Sequence, residues 1–314
     1  MDSFWTVVER GNGFDGCTRN KIDLWKAGFQ KVVDTTGADR ESLAIILRPR
    51  RNPNGDLREA CARAFEAMCT QLEDTFDGFS QWLKTGDDYH PIRGLQGPLR
   101  GLALPSPLRG ILGIVTTGVH LNMYTIRKVR GEDKPYIWVS RRSASKQTYA
   151  GKLDQVVAGG MEPVDQLDPK KTLRREAMEE ARLTIDIAAR AVSQDGVMVG
   201  AIEAHSWISF YDLKDSSAGT EEGHLEPGIR YVFDLRVGPD FIPVPNDKDA
   251  IERFVAKPVD EVKRDLKNAM WKPNCGLVML DFLLRRGQIT PDEDVNFEKL
   301  HRGLHRQLPF NCEL

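Results

Sequence analysis

No stretch of this 314-residue chain comes near the roughly 18 consecutive apolar residues that a membrane-spanning helix requires, which argues against a transmembrane segment. The first residues, MDSFWTVVERGNGFDG, carry acidic groups and no long apolar core, so they do not read as a secretory signal. Cysteine is scarce. The five, Cys17, Cys61, Cys69, Cys275 and Cys312, form neither a CxxC pair nor an even set, which excludes a disulfide framework and a zinc site and implies a reducing, cytoplasmic setting. Excess charge of one sign is also missing: 44 basic residues face 46 acidic ones, net -2, so no global field draws the chain to nucleic acid or an anionic membrane. There are no internal repeats and no low-complexity tracts. What remains is a chain long enough for one large or two modest domains, whose partner is expected to be a small molecule held at a local site.

The stretch with the most chemistry is Gly151 to Leu183, GKLDQVVAGGMEPVDQLDPKKTLRREAMEEARL. A strand-like apolar segment, Val156 to Ala158, is followed by a Gly159-Gly160 loop and then by Asp168-Pro169, which suit an N-cap and a first helical turn. In the helix that follows, Glu176, Glu179 and Glu180 lie on one face by i, i+3, i+4 spacing, with Ala177, Met178 and Ala181 turned roughly the other way. Three clustered carboxylates repel one another unless a cation sits among them, and Mg²⁺ or Mn²⁺ is the usual one for an all-oxygen donor set. Taken alone, an ExxEE helix face would pair with Arg174, Arg175 and Arg182 and be solvated. The strand and glycine pair ahead of it favour the metal reading.

Before residue 110, Leu57 to Leu72 has helical spacing after a turn ending at Asp56, Leu43 to Leu47 reads as a strand, and Phe79 to Leu83 is a short amphipathic piece. Pro91 to Pro107 reads as a connecting loop, and His90 as a surface loop residue beside it. From Gly110 on, GIVTTGVHLNMYTIRKV and Tyr136 to Val139 are expected to pair as antiparallel strands across Gly131-Glu132-Asp133. Further strands are expected at Val197 to Ala204, Ser206 to Leu213 and Tyr231 to Val237, a loop at Ser216 to Gly228, and helices after Pro258 and over Cys275 to Leu284. Mixed strands and helices of this kind predict an α/β sandwich with a mixed sheet. Arg141, Arg142 and Lys146 form a basic cluster just ahead of the acidic helix, suited to an anionic ligand. Tyr124, Trp138 and Trp207 are candidates for stacking on a flat heterocycle as well as for the core.

The order strand, glycine loop, REAMEE helix resembles the Nudix box, in which a Gly, five residues, a Glu and seven residues precede REUxEExGU, U being aliphatic. Here the loop is longer, its Glu is missing near Leu167 and Asp168, and Arg182 replaces the helix-terminal Gly. The segments GVHLNMY, WVSRRSASKQTYAGKLDQVVAGG, YVFDL, FIPVPND, WKPNCGLVMLDFLLRRG and HRQLPF are similar to the Nudix domain associated with thiamine pyrophosphokinase and its stand-alone relatives. That resemblance implies a Nudix α/β/α sandwich over 111–314 and a smaller α+β N-terminal domain over 1–110. It also implies hydrolysis of thiamine diphosphate or its oxidised or toxic analogues to the monophosphate and phosphate. An isoprenoid or other organic diphosphate, or a binding protein without turnover, are the other readings. Relative to that family Met123 stands for Gly, Gly228 for Glu, and Asp249 for Glu.

The implied metal ligands are Glu176, Glu179 and Glu180, with Arg175 orienting them. The catalytic base is open among Glu179, Asp249, Glu221, Glu222 and Glu226. Arg141, Arg142, Lys146 and Tyr124 are the substrate-binding candidates. At Arg182 either the helix continues for another turn or the arginine adopts a left-handed conformation.

Overall fold

The computed structural model of the chain describes residues 55–74 and 79–308. The expected strand at Leu43 to Leu47, Cys17 and Cys312, and the last residues of the HRQLPF segment lie outside them. Among the described residues the chain folds around one nine-stranded mixed sheet with helices on both faces.

Alternating apolar residues make β3, Thr116–Val129, a buried central strand. It turns at Arg130 and Gly131, both at positive φ, into the antiparallel β4, Glu132–Arg142. β10, Leu225–Val237, lies on the other side of β3 and runs parallel to it, and β9, Val197–Leu213, returns antiparallel to β10. β8, Ala191–Gln194, and β7, Leu183–Asp186, extend that edge, and β11, Ile251–Pro258, closes the other edge beside β4. Two short strands, β5, Leu153–Asp154, and β6, Val157–Gly160, pair with β4 and β3.

One face of the sheet packs the acidic helix, α4, Pro169–Ala181, through Val119, Leu121 and Met123 against Leu173, Ala177 and Ala181. The other face packs α6, Pro273–Arg285, and α5, Val259–Lys267, against Tyr124, Ile137 and Val232. Every residue of α6 from Cys275 to Leu284 is buried, as its largely apolar sequence requires, and the one charged residue among them, Asp281, is paired with Arg285 at 2.7 Å. A short α7, Phe297–Gly303, packs Leu300 into the same core.

Ahead of the sheet, α1, Leu57–Gln71, is capped by Asp56, and α2, Phe79–Thr85, packs beside it. The Pro91 to Pro107 stretch holds paired strands where a loop was expected: β1, Tyr89–Pro91, runs antiparallel to β2, Ala103–Pro105, before the single turn of α3, Leu108–Ile111. These elements share a core of Phe65, Cys69, Phe79, Trp82, Leu104 and Leu108 that reaches on to Ile111 and Ile114.

Three further expectations differ. The two strands foreseen at 197–213 are one continuous strand, and His205, the one residue between them, continues it with an exposed side chain. The foreseen loop to Gly228 ends at Leu225, where β10 begins. Gly159 and Gly160 belong to β6 itself, paired with Val119 and Gly118, so the turn comes after them.

Candidate active site

The helix α4 starts where the sequence predicts: Asp168 accepts from the Lys170 N–H at 2.8 Å, with Pro169 in the first turn. Its carboxylates differ in surroundings. Glu179 is 55% exposed, Glu176 is buried, and Glu180 turns in to accept from the Ala158 N–H of β6 at 2.7 Å. Met178, expected to point away from the carboxylates, is exposed.

Glu176 can lie against β6 only because position 159 is glycine. A Cβ there would fall 1.8 Å from the Glu176 Cδ. Burial, helped by Glu179, pushes the Glu176 carboxyl up to about 7 against the opposing pull of Arg175. Burial and the neighbouring Glu176 push Glu180 up to about 8. The three carboxylates are an all-oxygen donor set whose chemistry fits Mg²⁺ or Mn²⁺, while among the described residues the side chains whose donor atoms already converge are His120, Asp154 and Cys275.

Arg175 ties the patch together. Its Nη1 donates to Glu176 at 3.0 Å and Glu179 at 3.1 Å and lies 3.1 Å from Glu162, while Nη2 donates to the Gly160 carbonyl at 3.0 Å. Asp165 grips the guanidinium from below, at 2.8 Å and 3.2 Å, and also accepts from the Glu162 N–H at 2.9 Å. Asp165 and Glu162 were not singled out from the sequence. Counting from Gly159, Asp165 follows after five residues, so an aspartate stands where the glutamate was sought two or three positions later.

Asn246 binds the loop 241–250 to the end of α4: its N–H donates to the Glu180 carbonyl at 2.8 Å and its side chain to the Glu179 carbonyl at 3.0 Å. Exposed Asp249 therefore sits in a loop tied to the last turn of the carboxylate helix. Arg182 ends that helix in the left-handed conformation, φ 55°, so the helix does not continue.

The other candidates scatter. Tyr124 packs on the far face of the sheet, 5.6 Å from Phe282, with its hydroxyl donating to Glu203 and Arg286 over its ring; this corrects its reading as a substrate contact. Arg142 is spent inside its own loop, on the carbonyls of Thr148 and Tyr149 and on Asp154 at 3.3 Å, and is corrected likewise. Arg141 pairs with Glu252 at 3.2 Å, and partly buried Lys146 precedes the segment where Thr148 and Tyr149 line a cavity. Trp138 is buried and Trp207 stacks edge-on with His305 at 4.9 Å.

That cavity, about 160 Å³, opens beside the carboxylates and shares Ala158 and Gly159 with them. Its walls carry two linked ion-pair groups: Glu226 with Arg230 at 2.5 Å and Lys214 at 3.1 Å, and Glu221 with Arg109 at 2.7 Å and also Lys214. Despite burial these cations hold Glu221 below and Glu226 well below the usual carboxylate range, which sets both apart from a proton-accepting role; Glu222 is exposed. Lys272 also lines the cavity and acts electrostatically on both Glu180 and Glu226, so it stands between the two features. His90, expected on the surface, is 5% exposed and is part of the wall. A Cβ at Gly228 would lie 2.3 Å from the Phe210 Cζ, so the ring fills the space that a longer residue would use.

The chain is 36% identical over 202 residues to an uncharacterized protein of Saccharomyces cerevisiae, a match covering 64% of this chain and 56% of the relative. It is 33% identical over 181 residues to Nudix hydrolase 20, chloroplastic, of Arabidopsis thaliana, covering 57% and 42%. Nudix hydrolase 24, chloroplastic, of the same plant matches at 31% over 193 residues, covering 61% and 46%. These relatives support the Nudix hydrolase family. The chain spans about half the length of the curated relatives it matches. No family model matches it. Among solved structures, a C. elegans Ap4A hydrolase overlaps with a TM-score of 0.36 at 12% identity, over 56% of this chain and all of that one. Among the described residues no helix is long and apolar enough to cross a membrane.

Proposed function

We propose that the chain is a divalent-metal-dependent hydrolase of an organic diphosphate, thiamine diphosphate or an oxidised or toxic analogue of it, releasing the monophosphate and phosphate. The observation that carries this reading is the carboxylate cluster of Glu176, Glu179 and Glu180 on one helix, beside a polar cavity with which it shares the backbone of β6. Bound by these three residues, Mg²⁺ or Mn²⁺ would neutralise diphosphate charge and acidify a water for in-line attack on phosphorus. Arg175 holds Glu176 and Glu179 in register through charge-assisted hydrogen bonds. Lys272 is placed to meet phosphate oxygens between the cluster and the cavity. The base is drawn from two exposed carboxylates, Glu179 on the helix and Asp249 on the loop that Asn246 ties to its last turn.

The thiamine assignment rests on the resemblance of the GVHLNMY, SRRSASKQT and WKPNC segments. Division of the chain near residue 110 and a cytoplasmic setting belong to the same proposal. A competition assay with Mg²⁺ tests the substrate, offering thiamine diphosphate, its oxidised analogues, prenyl diphosphates and nucleotides. Preferential release of phosphate from the thiamine compounds is expected. Preference for a prenyl diphosphate or a nucleotide would overturn the substrate, and binding without turnover would overturn the hydrolase.

A further inference from the structure

The cavity beside the carboxylates is built by both halves of the chain. β1 contributes His90 and α3 contributes Arg109, whose ion pair with Glu221 spans the join. Arg93 reinforces it by donating to the Tyr231 hydroxyl at 2.5 Å.

Three groups in its wall have hydrogen-bonding capacity left over. Thr117 is 1% exposed and its hydroxyl has no hydrogen-bond partner among the described residues. A buried hydroxyl in that state costs free energy that a ligand would recover. His90 Nε2 lies 3.3 Å from the Val115 carbonyl, which can only accept, so Nε2 carries the proton and Nδ1 is an acceptor. His120 Nδ1 lies 2.8 Å from Gln155 Oε1, and the Gln155 amide donates to the Cys275 carbonyl. His120 therefore donates through Nδ1 and keeps Nε2 as an acceptor. Burial lowers His90 to about 4 and His120 to about 3, so both rings stay neutral around neutral pH. A wall with spare acceptors suits a ligand that donates.

Size narrows the choice further. A cavity of about 150 Å³ takes one benzene-sized ring, and this one is about 160 Å³. The fused bicycle of a purine exceeds one such ring, whereas one ring of a two-ring compound such as thiamine does not. A prenyl chain would bury Glu226, Arg230 and Lys214 against hydrocarbon, which polar groups resist.

We propose that this cavity receives the organic end of the diphosphate, a single polar ring bearing hydrogen-bond donors, and that His90 from the N-terminal half is a specificity-determining residue together with Thr117. The proposal rests on the hydrolase reading for the placement of the diphosphate, but its test does not need turnover. Thiamine monophosphate is titrated calorimetrically, without metal, into the full chain and into His90→Phe, Thr117→Val and Glu180→Gln variants whose far-UV spectra match the parent.

Binding to the parent is expected, weakened tenfold or more by His90→Phe, which removes both ring nitrogens. Thr117→Val, which keeps the shape and removes the hydroxyl, should weaken it three- to tenfold. Glu180→Gln should leave it within threefold. If the parent does not bind, or if both cavity variants bind as tightly as the parent, the proposal is overturned; Thr117→Val carries the decision should His90→Phe not fold. Phosphate release measured in parallel separates the two readings. Binding that depends on His90 without any turnover would defeat the hydrolase and keep the cavity, and turnover indifferent to both substitutions would do the reverse.

Discussion

The Glu176 carboxyl occupies space that a Cβ on Gly159 would need, its Cδ lying 1.8 Å from that position. Neither residue can be understood without the other: the absence of a side chain on β6 is what lets a carboxylate of α4 turn inward, and the inward turn is what raises its pKa.

Gly159→Ala should therefore cost activity about 100-fold or more, equivalent to roughly 2.7 kcal/mol of transition-state stabilisation. The overlap should also destabilise the fold by about 1–3 kcal/mol. Gly160→Ala meets nothing within 4 Å and has an ordinary φ, so its melting temperature should stay at the parent value. Steady-state turnover and thermal melts of the pair check this; equal behaviour of the two variants would refute the steric account.

Asp165→Asn should act through Arg175. With one charge gone from the two-point grip at 2.8 Å and 3.2 Å, the guanidinium is less firmly aimed at Glu176 and Glu179. Groups that orient metal-binding residues typically change metal affinity by about 10–100-fold. The expected result is a tenfold or greater rise in the Mg²⁺ concentration for half-maximal activity, with a smaller fall in turnover at saturating Mg²⁺. An unchanged Mg²⁺ requirement would confine Asp165 to capping the Glu162 turn.

Periodicity and glycine placement made the helix carboxylates and the central strands legible, since Glu176, Glu179 and Glu180 owe their common face to helix geometry alone. The cavity wall was not legible. His90, Arg109, Lys214 and Arg230 lie on four separate segments of the chain, and only tertiary folding brings them together. Tyr124 was misread because alternation along β3 places it on the face opposite Met123, and the sheet sides could not be assigned before α4 and α6 were. Asp165 was missed because the loop after it is longer than in the resembling pattern.

Arg182 holds a left-handed backbone, φ 55°, at the end of α4 and pairs at the surface with Asp195 at 2.8 Å. Glycine adopts that conformation without a Cβ penalty, and an exposed ion pair contributes little. Arg182→Gly should stabilise the protein by roughly 0.5–1 kcal/mol and leave turnover within about twofold. Chemical denaturation and phosphate release measure both. A tenfold gain in turnover would instead make the arginine an inhibitory replacement.

The raised carboxyls also set a pH dependence whose sign can be worked out. In the metal-free folded protein Glu176 keeps its proton to about 7 and Glu180 to about 8, whereas both would lose it near the ordinary carboxylate value of 4.5 when unfolded. Between those limits the folded state binds more protons than the unfolded state, so these two groups make stability fall as pH rises. A divalent cation binds the deprotonated pair and opposes the fall. The stabilisation by Mg²⁺, measured as the difference between melts with Mg²⁺ and with a chelator, should accordingly grow between about pH 5.5 and about pH 8.5. Other raised carboxyls, Asp212 at about 8 and Asp281 at about 6, add to the slope equally in both arms and cancel in the difference. In a Glu176→Gln, Glu180→Gln double variant the growth should vanish, because neither amide titrates or carries the charge that holds the ion. Growth that persists in the double variant would place the cation elsewhere in the protein.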